Sequence, residues 1–145
     1  MIEKSFGVIP LWRDGSSYET LLIQSRKYGH WGWPKGRGKK GEDDIITARR
    51  ELSEETGITD YFLISDFSLT ESWQYSRDNQ VWHKTARYFL GFVRDKKVTP
   101  QVSEIAAYRW VEVTKAGELL SFPEKQQVLA KVREYLRGIK IKNPG

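Results

Sequence analysis

Residues 29–41 read Gly-His-Trp-Gly-Trp-Pro-Lys-Gly-Arg-Gly-Lys-Lys-Gly, with five glycines and one proline in thirteen positions. So glycine-dense a stretch cannot propagate a helix. It reads as a loop, rigid at Pro34 and permissive at each glycine. Immediately after it, Ile45, Ala48 and Leu52 recur at i, i+3 and i+7, the apolar stripe of an amphipathic helix. Asp43 and Asp44 suit the positive end of its dipole, and Gly57 after Thr56 predicts a left-handed stop. On either side the pattern is that of strands. Residues 6–12 and 20–24 are short apolar runs around the turn signal Asp14-Gly-Ser-Ser, and residues 61–68, 69–75, 81–93 and 108–113 are rich in aromatic and β-branched side chains. Residues 114–120 and 123–136 read as helical, the second carrying a stripe of Val128, Leu129, Val132, Tyr135 and Leu136 behind Pro123 at its first position. This order predicts an α/β chain, one mixed sheet with helices packed against it, in a single domain over residues 1–145.

Composition narrows the functional classes. The chain has 145 residues, no cysteine and 13% aromatics. Disulfide scaffolds, thiolate metal sites and cysteine nucleophiles are therefore excluded, and a disordered segment is not expected. The longest apolar runs are a few residues, and Met1-Ile2-Glu3-Lys4-Ser5 lacks the basic-then-apolar pattern of a secretory signal. A cytoplasmic location is the expectation, with no membrane contact and no obligate protein partner evident.

The net charge of +5 conceals a sharp internal contrast. From Arg26 to Lys40 there are six cations and no acid; from Glu42 to Glu55 there are six acids, interrupted only by Arg49 and Arg50. On a helix, Glu51, Glu54 and Glu55 fall within about 100° of arc, beside the apolar stripe rather than opposite it. Such carboxylates repel one another at i, i+3 and i+4. They form either a solubilising face or a site for a hard divalent cation such as Mg²⁺ or Mn²⁺. The loop bears on the choice, because Lys35-Gly-Arg-Gly-Lys-Lys-Gly41 delivers cations and backbone N–H groups at the helix start. It lacks the spacing of a Walker A loop. Cations for phosphate beside carboxylates for metal are what a metal–polyphosphate needs.

The pattern Gly36-x5-Glu42-x7-Arg50-Glu51-Leu52-x-Glu54-Glu55-x-Gly57-Ile58 resembles the Nudix box at all nine specified positions. The resemblance implies an α/β/α sandwich and hydrolysis of a nucleoside diphosphate linked to another group. It makes Glu51, Glu54 and Glu55 metal ligands together with the Gly36 carbonyl, has Arg50 orient a glutamate, and has Glu42 brace the loop.

Beyond the box, residues 31–36, 84–90, 104–110 and 119–124 are similar to the branch of the family that splits diadenosine tetraphosphate (Ap4A) asymmetrically into ATP and AMP. By that resemblance Tyr75 and Phe122 sandwich an adenine with Tyr88 close by, while Lys35, Lys84 and Arg26 bind phosphates. Glu104 is a metal ligand or the base that deprotonates water, and Glu54 is the other candidate base. The implied partner is a small-molecule dinucleoside polyphosphate. Removal of pyrophosphate from an RNA 5′ end, or hydrolysis of another nucleoside or inositol polyphosphate, is the alternative. His30 is a weaker phosphate candidate, and Trp73 and Trp82 stay ambiguous between core and site.

Overall fold

The computed structural model describes residues 1–142. Seven strands and two helices follow the order β1 (Ile2–Asp14), β2 (Ser17–Ser25), β3 (Trp31–Gly32), β4 (Lys35–Arg37), α1 (Asp44–Thr56), β5 (Tyr61–Arg77), β6 (Gln80–Val93), β7 (Ile105–Glu112) and α2 (Pro123–Lys142). They form one mixed sheet in the order β3-β2-β1-β6-β5, with β4 also pairing β1 and β7 pairing β2. The β1–β6 pair is parallel and the others are antiparallel.

Alternation along the strands gives the sheet two buried faces. Ile9 on β1, Leu22 on β2, and Tyr88 and Leu90 on β6 pack with Val128, Leu129, Val132 and Leu136 of α2. Their immediate neighbours Val8, Leu21 and Phe89 point the other way, onto Ala48 and Leu52 of α1. The result is the expected α/β/α sandwich. Among the described residues no helix is long and apolar enough to cross a membrane.

Three expectations change. The 29–41 segment is not loop throughout, because β3 pairs β2 at Ile23–Gly32 and Gln24–Trp31, and β4 pairs β1 at Ser5–Arg37 through Gly7–Lys35. Trp33 between them is buried at 2% exposure, and its Nε1 donates to Thr20 Oγ1 at 3.1 Å. A glycine-rich segment gains strand pairing here because one indole anchors it to the core. Residues 61–77 form one strand with an irregularity between Ile64 and Ser68, rather than two strands. Residues 114–120 form only a 3₁₀ turn, Ala116–Glu118, too short to be an α-helix. Gly117 sits at its centre, where helix propensity is poor.

Candidate active site

Helix α1 presents the acidic cluster. Asp43 caps it by accepting from Ile46 N at 2.8 Å, and Gly57 closes it at φ 73°, a conformation that favours glycine. Between the caps, Arg50 ties together the loop and the carboxylates. Its Nε and Nη2 donate to the two oxygens of Glu42 at 2.7 and 3.0 Å, and Nη2 also donates to the Arg37 carbonyl at 2.9 Å. Its Nη1 donates to Glu51 Oε1 at 3.0 Å and Glu54 Oε2 at 3.1 Å. Glu42 accepts further bonds from Lys39 N at 2.7 Å and Thr47 Oγ1 at 3.1 Å. This network, with the Arg50 bonds foremost, holds the Glu42 carboxyl down at about 2.

The remaining carboxylates are under opposite pressure. Burial first, and the neighbouring Glu51 second, push Glu55 up to about 8, against a smaller pull from Lys35. Burial also raises Glu51. Glu55 Oε2 is buried without any hydrogen-bond partner. The Glu51 carboxyl lies over Gly36 so closely that a Cβ there would overlap it. Arg50 uses one oxygen each of Glu51 and Glu54, which leaves the second oxygen of each. An orphaned hard oxygen, crowded like charges and a carboxylate pressed onto bare backbone fit a divalent cation. Among the described residues no three acids converge into a finished shell, so a cation would gather Glu51, Glu54, Glu55 and the Gly36 carbonyl.

On the other side of β4 lies a row of lysines and aromatic rings. Lys35 Nζ stands 5.6 Å from the Trp73 ring centre and Lys125 Nζ stands 5.8 Å from it. Lys84 Nζ lies 5.0 Å from the Tyr75 ring and 3.4 Å from Glu3 Oε2. Burial first, and Lys125 second, lower the Lys35 pKa. Tyr75 is stacked on Trp82, its cross-strand partner, with centres 6.1 Å apart. Phe122 is 38% exposed and meets His30 edge-on at 4.8 Å. A base held by Tyr75 and Phe122 together would have to fill the space between these two separate aromatic pairs.

Two expected substrate contacts move elsewhere. Tyr88 is fully buried, and its hydroxyl donates to Glu71 Oε1 at 3.1 Å. Facing α2 from a central strand, it has no free ring face for a base. Arg26 donates through Nε to Val102 O at 2.7 Å and Nη2 to Ile105 O at 3.2 Å. With those carbonyls as acceptors its guanidinium braces the loop that carries exposed Glu104. Sequence reasoning missed Glu71, 3% exposed, and Lys125, whose Nζ bonds Glu71 Oε2 at 2.7 Å. The signal was an acid on the face of β5 shared by Leu69 and Trp73. Its partner lies 54 residues away and no local pattern could supply it.

Comparison with known proteins agrees with this geometry. The NUDIX domain family matches residues 1–132. A pig protein named bis(5′-nucleosyl)-tetraphosphatase (asymmetrical) is 34% identical over 127 residues, covering 85% of this chain and 84% of its own. A crystal structure of a C. elegans Ap4A hydrolase binary complex superposes with a TM-score of 0.82 at 26% identity, covering 94% of this chain and 98% of that one. An RNA pyrophosphohydrolase of Pelagibacter ubique is 24% identical over 149 residues, covering 95% of this chain and 93% of its own.

Proposed function

The chain belongs to the Nudix family, and from that premise we propose that it hydrolyses dinucleoside polyphosphates, cleaving Ap4A asymmetrically into ATP and AMP. The observation that supports this reading is the juxtaposition of the α1 carboxylates with a lysine row and two aromatic pairs, Tyr75–Trp82 half-buried and His30–Phe122 exposed. A tetraphosphate flanked by purines asks for all three: carboxylates for metal, cations along an anionic chain, and flat faces at its ends. Mg²⁺ is the expected cation, with Mn²⁺ able to substitute. When bound among Glu51, Glu54, Glu55 and the Gly36 carbonyl, it supplies Lewis-acid polarisation of phosphoryl oxygens and a lowered pKa for the attacking water.

The chain's own groups do the rest. Glu54 has a side chain that is 44% exposed, with Oε2 fixed by Arg50, so that Oε1 reaches the cation and the water beside it. That makes it the favoured acceptor of the water's proton, with Glu104 as the alternative. Lys35 and Lys84 offset charge as it builds on the leaving phosphate. Tyr75, backed by Trp82, and Phe122 hold the adenine by stacking, a contribution of about 1–3 kcal/mol per base. Holding the base at a fixed reach from the carboxylates selects which phosphorus meets the water, and so gives unequal products.

Incubation with Ap4A, triphosphorylated RNA and ADP-ribose in Mg²⁺, with products separated by chromatography, tests the substrate. ATP and AMP from Ap4A are expected; activity on the RNA with none on Ap4A would establish the RNA alternative instead. Glu54→Gln is expected to lower turnover by at least about 100-fold with the fold retained. Unchanged turnover in that variant would remove the carboxylate mechanism.

A further inference from the structure

The Lys125–Glu71 pair is buried, with side-chain exposures of 11% and 3%. Replacing such a pair by apolar residues is often neutral or stabilising, so burial alone is a weak reason for its presence. An ammonium carries three donors. Among the described residues, the one hydrogen bond Lys125 Nζ makes is to Glu71. Two N–H groups are therefore left over at a nearly enclosed site, a costly state for buried donors. The same ammonium shares the Trp73 ring with that of Lys35, at 5.8 and 5.6 Å. Two cations against one ring, with spare donors, call for an anion that touches both. Glu71 and Glu55 both attract Lys35, but among the described residues Glu71 is the one hydrogen-bond acceptor Lys125 Nζ has, and Tyr88 also donates to it at 3.1 Å. What it does is fix Lys125. Gly32 leaves room for the Lys125 side chain, since a Cβ there would meet Lys125 Cε at 3.2 Å.

We infer that Lys125 is a binding residue for the substrate's polyphosphate chain, that Glu71 is the positioning residue that holds it, and that Trp73 is the wall the chain passes between Lys125 and Lys35. This rests on the proposed function for the identity of the substrate, and on the geometry alone for the class of anion.

The test is calorimetric binding of inorganic tripolyphosphate in Mg²⁺, with Ap4A turnover measured separately. Lys125→Met combined with Glu71→Gln replaces the pair by neutral side chains of similar size and keeps an acceptor for Tyr88. The expected result is a native circular-dichroism spectrum with tripolyphosphate affinity lower by about tenfold or more, while Lys125→Arg retains most of it. Should the double variant fail to fold, Lys125→Gln combined with Glu71→Gln, which keeps a neutral hydrogen bond across the pair, carries the same expectation. Wild-type affinity in a folded neutral variant, or no binding by the wild type, overturns the inference and leaves the pair a structural tie between α2 and β5. Lys125-dependent binding in a chain that does not cleave Ap4A supports this inference and defeats the substrate assignment.

Discussion

At Gly36 the backbone and the Glu51 carboxyl occupy adjoining space with no room for a methyl group. Gly36→Ala therefore has to displace Glu51 or part β4 from β1. The atoms in the way are the carboxyl end of a flexible side chain, so Glu51 is the group that yields and the cost falls on its position more than on stability. A carboxylate moved by about 1 Å costs on the order of 100-fold in rate. The variant is expected to melt close to the wild type and lose about 100-fold in kcat/KM, and an active Gly36→Ala would show that the close approach has no part in the site. Gly36 was readable in the sequence because its spacing to Glu42, Arg50 and Glu51 is a local pattern. Tyr88 and Arg26 were not. Whether an aromatic on a strand faces core or cleft depends on which sheet face α2 covers, and Arg26 met its acceptors through chain 76 and 79 residues away.

Helix α1 and the loop before it hold two carboxyls shifted in opposite directions, Glu55 and Glu42, which gives the metal-free protein a specific pH response. Glu55 in the folded chain titrates at about 8, above its ordinary 4.5, so folding strengthens its hold on a proton. Its contribution is full below about 4.5 and fades as pH rises through 8. Glu42 titrates at about 2, below its ordinary 4.5, so its contribution is present above about 4.5 and fades as pH falls toward 2. In a chelator, the melting temperature of the wild type should decline between pH 5 and pH 8. Glu55→Gln should flatten that limb and leave the acid limb in place. Divalent cation should reverse the decline, because it binds the deprotonated carboxylates. A limb of equal slope in Glu55→Gln would assign it to other groups. The helix itself was legible to within a residue at each end, since caps and an i, i+3, i+7 stripe are local signals. β3 and β4 were not, because glycine and proline disfavour strands and only pairing with β2 and β1, together with buried Trp33, overrides them.

Over the whole molecule, net charge and functional charge are in different places. Residues 124–145 carry +4 of the +5. Lys125 is drawn into the lysine row against β5, while Lys131 and Arg137 on α2 are exposed. Along the helix those two lie roughly 9 and 18 Å beyond Lys125, against a screening length of about 8 Å at physiological salt. A small polyphosphate seated between Lys35, Lys84 and the α1 carboxylates feels little of them. An RNA would follow surface cations such as these and bind with strong dependence on salt. The double variant Lys131→Glu, Arg137→Glu lowers the net charge from +5 to +1 without touching the site. Exposed substitutions of this kind shift stability by about 0.5 kcal/mol or less. KM and kcat for Ap4A at physiological salt should stay within about twofold of the wild type, for the screening reason just given. A tenfold rise in KM would mean that the field of the whole molecule recruits the substrate.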